Sequence, residues 1–449
     1  MLRIGDVMED KRFVKTEKTY SLEAATFRII SFFIEFYMRL TYSFDIDKNE
    51  QLLGLCKVSK NLYNQALYVV KKELKTNNKW LGYYDLCKLM PNVINLEGSV
   101  NYRLLKSHTS QQCLKILCNN ITSYVKNIKE WSKNKSKFSG KPNFPKYKKE
   151  ANILIYTNQT CQIKGDYLVL SKDIKIHIPQ YDKYADKLSN FQQVRIIPKL
   201  NGKFKVEIVY VDNTIYNYDL DSSLYSSIDL GVDNLATMVL PNQNPILFNG
   251  KPLKATNQYF NKVKAKLQSK LTDNQKTSKR IRGLYEKRDN VIKDYFHKVS
   301  RSIVNLLIEN KVGNIVVGYN KGWKESINIG KRNNQTFVQI PYLKLIDYLK
   351  YKCEMVGIKI VVSEESYTSK CDALALESVE KHEMYLGKRV KRGLFQSSVG
   401  KLINADVNGA LNILRKVIGD SYVSRIINSG CLFQPVRVNV YKSMFNTYE

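Results

Sequence analysis

Residues 225–234 read YSSIDLGVDN. The pattern is a short strand that ends on an acid, Asp229, with a glycine turn at Gly231 behind it. A sheet holds the backbone of such an acid while its carboxylate faces an open edge, which suits a cation. A second segment lies far downstream, residues 404–414, NADVNGALNIL. There Asp406 opens a helix whose Val407, Ala410, Leu411 and Leu414 form one apolar stripe. Taken singly, each acid has a plainer reading. An Asp before a Gly turn is ordinarily a turn residue, and an Asp at a helix start is ordinarily a cap or dipole partner. Acids from two distant elements can instead meet at one pair of cations, and both fall where a single fold would need them.

The chain has 449 residues, more than one ordinary domain, and its 43% hydrophobic content supports real cores. Lys+Arg number 72 against 41 Asp+Glu, a net charge of +31 that favours a polyanionic partner, foremost nucleic acid. Eight cysteines (56, 87, 113, 118, 161, 353, 371, 431) form no C-x-x-C pair. With the four histidines equally scattered, this spacing fits free thiols in a reducing compartment and argues against zinc.

Residues 1–37 hold an apolar run, FRIISFFIEFY at 27–37, too short and too broken by Arg28 and Glu35 to span a membrane. It lacks the cleavage site of a signal peptide. Met38 is therefore the expected first structural residue, with 1–37 a peripheral extension. Residues 38–46 alternate as a strand. Helices are expected over 48–135, where Leu52, Cys56, Leu62, Ala66, Leu67 and Val70, then Cys113, Leu114, Leu117 and Ile121, recur at helical spacing. Between 101 and 150 there are 12 Lys/Arg and two Glu, ending in GKPNFPKYKK at 140–149. In it Lys141, Lys146, Lys148 and Lys149 flank Phe144 and Tyr147, a mix that can track phosphates and stack on bases, or simply form a solvated basic loop. Residues 151–215 read as short strands forming a small barrel or sheet. Residues 212–224 read as a polar linker.

From Leu224 the order is a three-stranded meander (226–230, 235–240, 246–248), a helical stretch 255–310, a strand 314–318, a helix 342–355, a strand 358–363 and a final helix from Asp406. That is the order of an RNase H-like domain. Phosphodiester cleavage on such a fold uses paired divalent ions held by a few carboxylates. Asp229 and Asp406 supply two. The fourth strand ends in Gly318, so the third must come from elsewhere. Glu365, after the fifth strand, is favoured, because strands lie about 5 Å apart and a Glu can span much of that gap. Glu364 is second and Glu325 third; plain exposed strand-end acids are the competing reading.

Several pieces in one order carry a resemblance: MRLTYSFDIDKNEQ with NLYNQAL, GKPNFPKYKK, SSIDLGVDNLAT, HKVSRSIV, YTSKC and NADVNGALNILRK. Over about residues 38–417 the chain resembles the TnpB family, transposon-encoded RNA-guided DNA nucleases also described as OrfB-type transposases and related to type V CRISPR effectors. The resemblance implies an α+β multidomain chain: an OB-like wedge barrel from 38–47 and 136–215, a helical recognition domain 48–135 inserted in it, a RuvC-like nuclease domain 224–420, and a tail 421–449. It implies Asp229, Glu365 and Asp406 as catalytic metal ligands for two Mg²⁺, and a guide RNA from the transposon end. It also implies a double-stranded DNA target beside a short motif, and a monomer in the cytoplasm associated with the nucleoid, with no membrane partner. Two departures stand out. Gly318 replaces the family's usual Glu, whose place some members give to EESYTSK, here 364–370. The paired C-x-x-C knuckles are missing from 366–403, leaving Cys371 alone and a basic run, KHEMYLGKRVKRGLF, whose Lys388, Arg389, Lys391 and Arg392 are expected to touch nucleic acid. Structural zinc is accordingly not expected. Other relatives have lost acids and repress as RNA-guided DNA binders, which is the alternative function. A self-sufficient strand transposase is disfavoured, since no His-x-His motif with a Tyr nucleophile stands out.

Overall fold

The computed structural model describes residues 38–212, 214, 218–272, 274–320 and 339–440. The extension 1–37 and Glu325 lie outside the described residues.

The first part of the chain runs β1 (Met38–Ile46), α1 (Glu50–Thr76), α2 (Tyr83–Leu89), α3 (Ser107–Lys133), β2 (Leu154–Thr157), β3 (Gln162–Lys164), β4 (Tyr167–Val169), β5 (Lys175–His177), α4 (Tyr181–Ser189), β6 (Phe191–Pro198) and β7 (Phe204–Asp212). Asn49 caps α1 by accepting from the Leu52 amide at 2.9 Å, with Glu50 against the helix dipole in the first turn. The buried stripe Leu52, Cys56, Leu62, Ala66, Val70 then faces Cys113, Leu114, Leu117 and Ile121 of α3.

The strands form two open sheets, an antiparallel β1-β7-β6-β2 and a small β3-β4-β5, which is the sheet rather than the barrel of the two forms read from the sequence. The interval between β2 and β6 is taken up by the β3–β5 meander and by α4, so β2 remains an edge and does not close back onto β1. The helices and sheets also share a single core running from Leu52 to Tyr210. The inserted helical region and the β segments around it are thus packed together and have no separate cores.

The second part contains β8 (Asp221–Asp229), β9 (Asn234–Val239), β10 (Ile246–Asn249), α5 (Lys251–Gln268), α6 (Lys279–Glu309), β11 (Val312–Gly318), α7 (Tyr342–Glu354) and β12 (Lys359–Ser363). After these come β13 (Lys388–Lys391), β14 (Leu394–Gln396), β15 (Leu402–Asn404), α8 (Ala405–Ile418), α9 (Asp420–Asn428) and β16 (Val436–Val438). The main sheet has the order β12-β11-β8-β9-β10-β16. β8, β9 and β10 are antiparallel in turn, β11 runs parallel to both β8 and β12, and β16 adds in parallel to β10.

Both faces are covered, as parallel strands require. Ile228, Met238, Phe248 and Ile315 pack on Phe296, Ile303, Leu345 and Leu349 of α6 and α7. Val239, Leu247 and Val316 pack on Val407, Ala410, Leu411 and Leu414 of α8. The alternation along β8 therefore sends Ile228 one way and its neighbours Ser227 and Asp229 toward α8. Three expectations shift. The supposed linker already belongs to β8 from Asp221, the long helical stretch is broken into α5 and α6, and the tail supplies α9 and a sixth strand.

The insertion 366–403 is organised by buried polar groups. Asp372 is fully buried. Its Oδ2 accepts from Ser397 Oγ (2.8 Å), the Ser398 amide (2.7 Å) and Ser398 Oγ (3.0 Å), while Oδ1 accepts from the amides of Leu374 (3.1 Å) and Ala375 (3.3 Å). Glu377 accepts from the amides of Asp372 (2.7 Å) and Leu386 (2.9 Å). From α8, Asn412 donates to the carbonyls of Thr368 (2.9 Å) and Cys371 (2.7 Å), and Arg415 to that of Glu377 (2.8 Å). Replacing Asp372 with Ala strands several donors at once. Asp372→Ala is expected to destabilise the insertion by about 3 kcal/mol or more, read as lost amide-exchange protection across 366–403 while β8–β11 stay protected.

Candidate active site

Asp229, the last residue of β8, sits half-buried at the sheet end where α8 crosses. The helix is drawn close: Ser227 Oγ donates to the Ala410 carbonyl at 2.7 Å. Gly409 allows this approach, because a Cβ there would lie 2.8 Å from Asp229 Oδ2. Any larger residue at 409 would displace the carboxylate.

Asp406 is freed from the role usual at a helix start. Asn404 is the cap, accepting from the amides of Asp406 (3.0 Å) and Val407 (3.3 Å). The Asp406 carboxylate instead accepts from Asn234 Nδ2 at 2.8 Å, and Asn234 Oδ1 accepts from Arg437 at 3.3 Å. The turn 230–234 thus joins the first acid to the last.

The two candidate glutamates separate clearly. Glu364 is exposed, accepts from the Ser366 hydroxyl and lies 3.7 Å from Lys416 Nζ. Glu365 turns inward, its amide donating to Asn320 Oδ1 at 2.9 Å. A Cβ built on Gly318 would lie 3.0 Å from Glu365 Oε2 and 2.4 Å from Ile413 Cδ1. The Glu365 carboxylate therefore fills the space a side chain at the end of β11 would enter.

Asp229, Glu365 and Asp406 share one field. Burial pushes the Asp229 carboxyl well up, and the charges of Asp406 and then Glu365 push it further. Burial lifts Glu365 to about 7, with Lys416 pulling the other way. The buried Tyr342 phenol, which donates to the Gly231 carbonyl at 2.8 Å, is raised by burial and by the same Asp229 and Glu365. All these donors are oxygen, and with several carboxylates together the set suits a hard divalent cation. As the side chains stand, no three acidic, histidine or cysteine groups among the described residues close tightly enough to hold an ion.

The basic residues fall into two places. The β13–β14 hairpin is tied to the start of α8, since the Ala405 amide donates to the Gly393 carbonyl at 3.1 Å. Lys388, Arg389, Lys391 and Arg392 are exposed on it. Arg389 Nη2 is 4.0 Å from Asp406 Oδ1, and Arg392 pairs with Asp233, which also takes Lys254 at 3.1 Å. The strap 140–149 crosses the α1–α3 hairpin. Lys141, Lys146, Tyr147 and Lys149 face solvent. Phe144 and Lys148 do not: Phe144 packs edge-on to Tyr124 at 5.1 Å, and Lys148 sits over the Tyr63 ring at 4.5 Å and donates to Asn152. These two anchor the strap because its Asn64 clamp, bonded to both the Lys148 amide and carbonyl, turns that side inward.

Sequence reasoning missed Asn234, Asn404, Tyr342 and the spacing role of Gly409. Only Asn404 carried a usable signal, an Asn ahead of an apolar-striped helix.

Residues 217–324 match the family described as "Probable transposase" (OrfB_IS605), and residues 342–413 match the "Cas12f1-like, TNB domain" family. The first match contains Asp229, the second Glu365 and Asp406. Parts of the chain are thus similar to OrfB-type transposases and to Cas12f1-like proteins. It is 27% identical to "TnpB-like protein ORF457" of Acidianus two-tailed virus over 43% of this chain and 42% of that protein. It is 25% identical to "CRISPR-associated endodeoxyribonuclease Cas12f2" of a Micrarchaeota archaeon over 60% of this chain and 51% of that one. The chain thus matches about half the length of these relatives. A solved Cas12f1–sgRNA–target DNA complex is similar at TM-score 0.45, with 16% identity, covering 84% of this chain and 98% of that one. Among the described residues no helix is long and apolar enough to cross a membrane.

Without a cation, Glu365 holds its proton up to about pH 7 in the folded chain, against the ordinary 4.5. The folded state then binds more protons than the unfolded one across that window, so stability falls as pH rises through it. Melting temperatures taken in chelator from pH 4.5 to 7.5 should decline, and Glu365→Gln should flatten the decline.

Proposed function

We propose that this chain is an RNA-guided DNA endonuclease whose RNase H-like, RuvC-type domain cuts target DNA with paired magnesium ions. The observation that carries the reading is that Asp406 and Glu365 stand near enough to Asp229, at one sheet end, to raise its carboxyl, with Glu365 filling the space beside Gly318. Divalent ions bound there would activate a water and stabilise the leaving oxygen. Asp229 and Asp406, from β8 and α8, would hold them, with Glu365 reaching in from the end of β12. Glu364 is turned away and has no such part.

The exposed Lys388, Arg389, Lys391 and Arg392, of which Arg389 lies 4.0 Å from Asp406, would seat the DNA backbone. Lys141, Lys146, Tyr147 and Lys149 would line a nucleic-acid path on the first part of the chain. In this reading residues 38–47 and 136–215 form the wedge, 48–135 the recognition helices, 224–420 the nuclease and 421–449 a tail. The guide RNA comes from the transposon end, and the protein reads a short motif and duplex shape while base pairing reads the target. The chain works as a monomer in the cytoplasm, associated with the nucleoid.

One observation favours a second reading, a guide-directed DNA binder that represses without cutting: Gly318 stands where the strand-four Glu would be. A single experiment separates the two. The RNA that copurifies with the chain is sequenced and used to programme cleavage in Mg²⁺ or Mn²⁺. Asp229→Ala, Asp406→Ala and Glu365→Gln should each cut below about 1% of wild type with target binding retained, while Glu364→Gln cuts normally. Binding without cleavage by the wild type selects the repressor. Continued cutting by both alanine variants removes these acids from the chemistry.

A further inference from the structure

Thr237 lies directly opposite Asp229 in the antiparallel β8–β9 ladder. It is fully buried, and its Oγ1 has no hydrogen-bond partner among the described residues. Buried hydroxyls are almost always satisfied, and one left without a partner carries a desolvation cost. The other hydroxyls on this part of the sheet obey the rule: Ser226 Oγ donates to the Val239 carbonyl and Ser227 Oγ to the Ala410 carbonyl, at 2.8 and 2.7 Å.

The face on which Thr237 stands is fixed by its neighbours. Val239, two residues along, and Leu247, its partner on β10, both belong to the α8 side of the sheet. Asp229 and Ser227 are on that side too. Leu247 and Val239 offer no acceptor. The polar side chain that the register places within reach is Asp229, since residues paired across antiparallel strands have Cβ atoms about 4.5–5.5 Å apart.

We propose that Thr237 is the positioning residue of Asp229: the bond is not formed as the side chains stand, and with a cation bound the hydroxyl donates to one carboxylate oxygen and so presents the other to the ion. This rests on the reading of Asp229 as a metal ligand. Carboxylates that hold metals are themselves commonly held by hydrogen bonds, and loss of such a partner costs about 10–100-fold in metal affinity. A purely structural Thr at this position would make its bond within the core, and Thr237 makes none.

The test is Mn²⁺ binding to the full chain, followed by electron paramagnetic resonance of the free ion, for wild type, Asp229→Asn, Thr237→Val and Thr237→Ser. Thr237→Val keeps the shape and removes the donor. It should weaken Mn²⁺ binding about 10–100-fold and leave the metal-free melting temperature unchanged or higher, while Thr237→Ser restores binding to within a few-fold. Thr237→Ala is read in the same assay should the valine variant unfold. Wild-type Mn²⁺ affinity in Thr237→Val or Thr237→Ala, or equal weakening in Thr237→Ser, overturns the inference alone. No site in the wild type, or one unchanged by Asp229→Asn, overturns the reading of the acids and this inference with it.

Discussion

Like charges crowded at the end of one sheet are the condition around which the second half of the chain is arranged. Left alone, Asp229 is repelled by Asp406 and Glu365, and burial makes ionising Asp229 and Glu365 costlier still, as their raised carboxyls record. The fold supplies what holds them there. Main-chain hydrogen bonds fix β8, Asn404 fixes the first turn of α8, and Asn234 ties Asp406 back to the turn after β8. Apolar packing of Val407, Ala410, Leu411 and Leu414 against the sheet provides the adhesion that offsets the repulsion. Function of the proposed kind and local instability have the same source, because a cluster that demands a cation is one that resists assembly without it.

The other side of α8 is spent differently. Asn408, Asn412 and Arg415 face the loop after Glu365 and grip its carbonyls, so one helix carries an acid on one side and holds the loop that follows another acid on its other. Thr368, gripped by Asn412, bonds back to the Glu365 carbonyl through both its amide (3.3 Å) and its hydroxyl (2.8 Å). Asp372 extends this grip to the basic hairpin. Acid, loop and hairpin are thereby referenced to a single rigid element, which is how a site assembled from distant stretches of sequence can keep its geometry.

What could be read in advance follows from which forces are local. The β8 acid, the apolar stripe of α8 and the β-β-β-α-β-α-β order are periodic signals, and the sheet realises them in that order. The charge of +31 is a composition and needed no fold. The open sheets, by contrast, depend on which strand edges meet, and β16 depends on a pairing between residues almost two hundred positions apart. No window of sequence contains either. Phe144 and Lys148 misled for a related reason: interleaved cations and aromatics look alike whether they face a nucleic acid or, as with Lys148 above Tyr63, a neighbouring helix.

The choice between Glu364 and Glu365 shows how a gap in one position carries information about another. At Gly318 the sequence lacks the acid its strand would be expected to bear, which by itself suggests loss. The structure turns that gap into room. Any side chain at 318 would begin 2.4 Å from Ile413 Cδ1 and 3.0 Å from Glu365 Oε2, so an acid on β11 would have to displace Ile413 and would crowd the inward Glu365. In the proposed reading glycine at 318 and glutamate at 365 form one unit, in which the strand gives up its side chain and the neighbouring loop delivers a carboxylate beside it. On that reading a change at 318 crowds the site and a change at 365 leaves it one acid short, and that is why the pair has to be read together.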